Sequence, residues 1–85
     1  IGDGDTLTQG VHYLGDLTSN ATLTLPASPD VGDQVTVKAK GLTGAVVIIN
    51  KAGSQTIDGE TSVTIESPYG AVSMVYVANN DWRLI

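Results

Sequence analysis

The sequence contains no cysteine, no phenylalanine and a single histidine, His12. Without cysteine there is no disulfide framework, and with one imidazole the common Cys/His structural zinc sites are excluded. Basic residues are also scarce: Lys38, Lys40, Lys51 and Arg83 stand against nine carboxylates, a net charge of −5. Nucleic-acid binding draws much of its affinity from clustered cations that neutralise phosphates. Four scattered ones supply no such stripe, and no nucleic-acid partner is expected. No apolar run approaches the roughly 20 residues of a membrane helix, so no membrane insertion is expected either, and no signal-peptide pattern is present.

Catalytic constellations are equally thin. His12 sits beside Tyr13, with no nucleophile or orienting group in a recognisable pattern. Asp3 and Asp5 flank Gly4, and Asp30 and Asp33 bracket Val31-Gly32. Neither cluster matches a calcium loop, and aspartate beside glycine reads first as a turn former. Gly41-Leu42-Thr43-Gly44 lacks the lysine and hydroxyl of a phosphate loop. No catalytic residue, cofactor or metal site is assigned, and the chain is not expected to be an enzyme.

What is abundant is β-former. Valine, isoleucine and threonine make up 26 of 85 residues, and ten glycines interrupt them. β-branched side chains stiffen an extended chain and pack well on a pleated surface. The expected fold is therefore all-β: seven or eight short, mainly antiparallel strands in a small sandwich- or prism-like domain.

Leu23 and Leu25 alternate with threonines, and Val35 and Val37 alternate with Thr36 and Lys38. Val63 and Ile65 repeat the pattern. Two strands, Ala45 to Ile49 and Ala71 to Ala78, are apolar on both faces. The expected packing set is Val35, Val37, Ile48, Val63, Ile65, Val75, Trp82 and Leu84. Asp58-Gly59, Gly70 and Asn79-Asn80 are the expected turn positions. No internal repeat is exact. The whole chain, 1–85, reads as one domain, with 1–10 read as a linker or the exit from a preceding segment. Trp82 has two readings: a plug for the core or a subunit interface, its N–H on a carbonyl, or an exposed ring in contact with a ligand such as a sugar.

The stretch from Asn50 to Ile85 resembles a module recurring in bacteriophage tail fibres, tailspikes and related virion appendages. The matching elements are Ile57-Asp58-Gly59, the Val63 and Ile65 strand, the Tyr69-Gly70 break, the Val72 to Val77 strand and the closing Trp82. Leu25 to Lys40, with its Pro/Asp loop and Val31-Gly32-Asp33 leading into an alternating strand, is similar to the preceding part of such modules. One departure is Asn79-Asn80-Asp81, where these modules often carry glycine. The resemblance implies that Ile57 is a packing position too, and that the chain is a structural trimerisation module without cofactor, made in the host cytoplasm and placed in the virion. It also implies a homotrimer in contact with other virion proteins. The alternative is an adhesive module that contacts a host-surface glycan or protein. Two strands with two apolar faces in so short a chain independently favour self-association.

Overall fold

A computed structural model describes all 85 residues. Eight strands form: β1 (Gly10–Tyr13), β2 (Ala21–Thr24), β3 (Gln34–Lys38), β4 (Val47–Asn50), β5 (Thr56–Ile57), β6 (Ser62–Ile65), β7 (Ala71–Ala78) and β8 (Asp81–Leu84). There is no helix, and so none long and apolar enough to cross a membrane. The strands form two sheets, one ordered β1-β3-β7-β8-β5 and the other β2-β4-β6.

Successive strands from β1 to β7 alternate between the sheets, and this makes the pairing less antiparallel than the sequence suggests. The pairs β1–β3, β2–β4 and β5–β8 are parallel, whereas β3–β7, β4–β6 and β7–β8 are antiparallel. Parallel neighbours usually need a helical crossover. Here the crossover is a strand of the opposite sheet. Gly10 lies beside Val35, Leu17 beside Leu42 and Ala21 beside Val47. Residues about 25 apart therefore stack, and the segments 10–24 and 35–50 are two coils of one winding. Few identical residues mark this repeat, because stacking requires only that inward positions be apolar. Then β6 and β7 run back antiparallel to β4 and β3, ending the parallel winding.

The core is one cluster to which both sheets contribute. Ala21, Leu23, Val47, Ile49 and Ile65 from one sheet share it with Val35, Val37, Ile57, Met74 and Trp82 from the other. The radius of gyration is 12.0 Å, close to the ~12 Å expected for an independently packed chain of this length. Eighty-five residues thus suffice for two layers around a core of their own. From residues 1–10, Leu7 takes part in it. Thr6 bridges Thr24 in parallel, Leu7 N–H donates to the Thr24 carbonyl, and the Leu7 side chain is buried.

Val35, Val37, Ile57, Ile65 and Trp82 are buried as expected, and Val63 packs against the cluster from a partly buried position. Three expectations need correction. Ile48 and Val75 are only partly buried and lie on outer faces; their neighbours Val47, Ile49 and Met74 occupy the core. Alternation carries no phase when both faces are apolar. Register decides instead: Val35 pairs with Met74, and Ile49 pairs with Val63. Leu84 is 39% exposed because β5 flanks only Asp81 and Trp82, leaving Leu84 beyond the end of its neighbour.

The turns follow backbone chemistry. Asn79 and Asn80 have φ of 52° and 63°, and Asp58 and Gly59 have 48° and 82°. Two consecutive positive φ values suit the tight hairpin turns that right-twisted strands prefer, and Asn, Asp and Gly tolerate them best. Gly70 is needed for a different reason. A Cβ there would lie 2.8 Å from the Ser67 carbonyl oxygen and 2.9 Å from Ile65 Cγ2. Gly70→Ala is expected to destabilise the fold by about 1–3 kcal/mol through this overlap. Gly15→Ala, with open space around the new methyl, should stay within about 0.5 kcal/mol of the parent. Equilibrium urea unfolding of the two variants checks the contrast.

Candidate functional site

Trp82 is fully buried, and its ring meets Tyr76 edge-on with centroids 5.3 Å apart and planes at 63°. Its Nε1–H donates to the Gln55 side-chain carbonyl at 3.0 Å. Gln55 is the one buried polar residue of the chain. Its Oε1 also accepts from Ala52 N–H at 3.2 Å, and its Nε2 donates to the Pro26 carbonyl at 2.8 Å. Of the two roles expected for Trp82, the core plug is the one the fold provides. An exposed Trp82 ring stacking on a ligand is ruled out by its complete burial. Gln55 carries no sequence signal of this role; only the meeting of the 51–55 turn, the chain at Pro26 and β8 exposes it.

The charged residues are spread out and act largely as backbone clamps. Asp3 Oδ1 accepts from Thr22 N–H at 2.8 Å, Asp16 Oδ1 from Gly41 N–H at 3.0 Å and Asp58 Oδ1 from Leu84 N–H at 3.2 Å. Each ties together segments far apart in sequence, and Asn20 does the same for Val46 N–H. Asp5 and Asp33 act within their own turns, accepting from Gly2 and Asp30 N–H. No three histidine or acidic side chains converge where a metal could be held. His12 places Nε2 2.7 Å from the Thr8 carbonyl oxygen, a local bond with no nucleophile attached.

A shallow cleft lies at the β1 edge, lined by Gln9, Gly10, Val11, Gln34 and Thr36. Its lining contains no titratable side chain. The chemistry available to the molecule therefore lies mainly on its outer sheet faces. On the three-stranded sheet, Thr22, Ile48 and Thr64 form one cross-strand row, and Thr24, Asn50 and Ser62 form the next. No ionised side chain projects from these strands on that face; Glu66 follows β6 by one residue. On the five-stranded sheet, Val11, Thr36 and Ser73 form a row, with Thr36 Oγ1 and Ser73 Oγ hydrogen-bonded at 2.8 Å. Val11 and Tyr13 are exposed there.

Comparison with models of known protein families and with curated protein sequences finds no match.

The Trp82–Gln55 contact gives a direct prediction. Gln55→Leu strands the indole N–H and the Pro26 carbonyl in the core, which should cost about 2–4 kcal/mol. Trp82→Phe keeps much of the apolar volume and removes the donor, so adding it to Gln55→Leu should cost less than the sum of the two single changes. A double-mutant cycle by urea unfolding measures this. Strict additivity would show that the bond contributes nothing.

Proposed function

We propose that the domain is a structural module of a fibre or virion appendage that holds three copies of its chain in register. The observation that carries this reading is the outward row Thr22–Ile48–Thr64. β4 sends Val47 and Ile49 into its own core, leaving Val46 and Ile48 half-covered on the opposite face. Val75 and Val77 are left in the same way on β7. Copies carrying −5 each repel one another, and repulsion costs least where no ionised group projects. The uncharged β2-β4-β6 face is such a surface.

The resemblance of 50–85 to tail-fibre and tailspike modules supports the choice of three copies and the placement in a virion, beside other virion proteins. The second reading, adhesion to a host-surface glycan or protein, is favoured by two exposed tyrosines, Tyr13 on the edge strand β1 and Tyr69 in the turn before β7. It can coexist with the first.

Sedimentation equilibrium at micromolar protein tests the proposal. A species near three times 8.8 kDa is expected, and a well-folded 8.8 kDa species that does not associate with concentration would defeat it. Ile48→Asp sharpens the test, because Ile48 faces away from the protomer's core. The variant should keep the β-type circular dichroism spectrum of the parent and lose about 1–2 kcal/mol of intramolecular stability, because Ile48 is half-covered on a central strand. It should nevertheless sediment as a monomer, because a charge has been placed at the contact.

A further inference from the structure

Tyr69 occupies a backbone position that its side chain does not favour. Its φ is 59°, in the left-handed region where a bulky residue is uncommon and glycine or asparagine fits freely. The chain uses those favoured types elsewhere, at Gly59 and at Asn79-Asn80. The tyrosine ring does not repay this by filling the core, since the residue is 58% exposed. Tyr13 is similar: it ends the uncharged edge strand β1 and is 69% exposed. Neither ring is needed to bury apolar surface.

The two tyrosines are joined through β3. Tyr13 is the register partner of Lys38. The Lys38 Nζ donates to the Tyr69 carbonyl, and Tyr69 N–H donates to the Lys40 carbonyl at 2.8 Å. Lys38 and Lys40 are two residues apart on an extended chain and project to the outer side with Tyr13. From strand spacing and rise, the Tyr13 and Tyr69 Cα atoms are about 12 Å apart, with both lysines between them. Lys40 lies 3.8 Å from Asp16, whereas Lys38 makes no ion pair. Half of the chain's four basic residues thus fall between two of its three tyrosines, on a molecule of net charge −5.

We infer that Tyr13, Lys38, Lys40 and Tyr69 form a binding site for an acidic oligosaccharide. The tyrosine rings offer amphipathic surfaces for the C–H faces of two sugar residues. Lys38 Nζ, held on the Tyr69 carbonyl, keeps further N–H groups to donate to a carboxylate, and Lys40 adds a second cation that the ligand shares with Asp16. This site goes beyond the structural role proposed above and specifies the adhesive alternative. It does not require three copies, and it places no demand on the buried Trp82.

The test is calorimetric titration of the purified protein, in whatever assembly it forms, with a tetrasaccharide of uronic acids from alginate. Cellotetraose serves as the uncharged comparison and tetraglutamate as the acidic non-sugar. Saturable binding of the uronate, weakened by added salt and at least about tenfold tighter than either comparison, is expected. Tyr69→Gly relieves the backbone while removing the ring. It should retain the parent's melting temperature or raise it, yet lose about tenfold or more in affinity, as should Tyr13→Ser. Failure to bind uronate at millimolar concentration would overturn the assignment. Affinity unchanged in both variants would do so too, as would equal binding of cellotetraose. Tetraglutamate binding as tightly would move the site to acidic protein partners and overturn the saccharide. The sedimentation result is read separately, so loss of the trimer and loss of this site are distinguishable.

Discussion

The hydrogen bond from the Trp82 indole to Gln55 lies where three parts of the chain meet inside the core. Gln55 spends its side-chain oxygen on Trp82 and on the Ala52 N–H, and its amide nitrogen on the Pro26 carbonyl. Three segments therefore meet at one amide: the turn after β4, the chain leaving β2, and the last strand. A buried amide left unpaired would cost several times what a paired one contributes. Each polar atom of the Gln55 side chain has a partner, and no buried side-chain N or O atom is left without one. β8 is held by its ladder to β7 as well as by this bond, and β5 adds to its other side with only two residues.

From that anchored end the winding extends to β1, and the two ends differ. The β5 end closes in a tight turn at Asp58-Gly59, where the Asp58 carboxylate holds Leu84 N–H. The β1 end is an uncharged edge carrying Val11 and Tyr13. Between them, carboxylates tie distant segments together: Asp3 holds Thr22, and Asp16 links one coil to the next at Gly41. An acidic chain with few lysines can use its carboxylates this way because backbone N–H groups are the donors in supply, and charge-assisted bonds to them are among the stronger ones.

The proposed roles fall on different outer faces for a simple reason. Both sheets turn one face to the core, so assembly and ligand contact must share the remaining two. The β2-β4-β6 face offers uncharged side chains in register, suited to packing against two sister chains. The β1-β3 edge of the other sheet offers Tyr13 and Lys38, and Tyr69 reaches the same region because the 67–70 turn pairs with Lys40. Cations grouped among aromatic rings suit a ligand of opposite charge better than a sister chain that carries the same groups.

By itself the sequence determined the strands and the turns. Alternation at Leu23, Val35, Val37 and Ile65 marks the inward face because a half-buried strand has period two, and Asp58-Gly59 and Asn79-Asn80 mark hairpins because few other residues accept positive φ. Tertiary structure alone decided everything that depends on register. Which face of β4 and β7 is buried was undetermined where every residue is apolar, so Ile48 and Val75 changed sides once Ile49 met Val63 and Met74 met Val35. The parallel winding was hidden because stacked coils need matching polarity, not matching residues, and strands that pair across about 25 positions leave no local signal. Gln55 as a buried hub, and the grouping of Tyr13, Lys38 and Tyr69, belong to the same class. Each joins residues far apart in sequence, and only the folded chain brings them together.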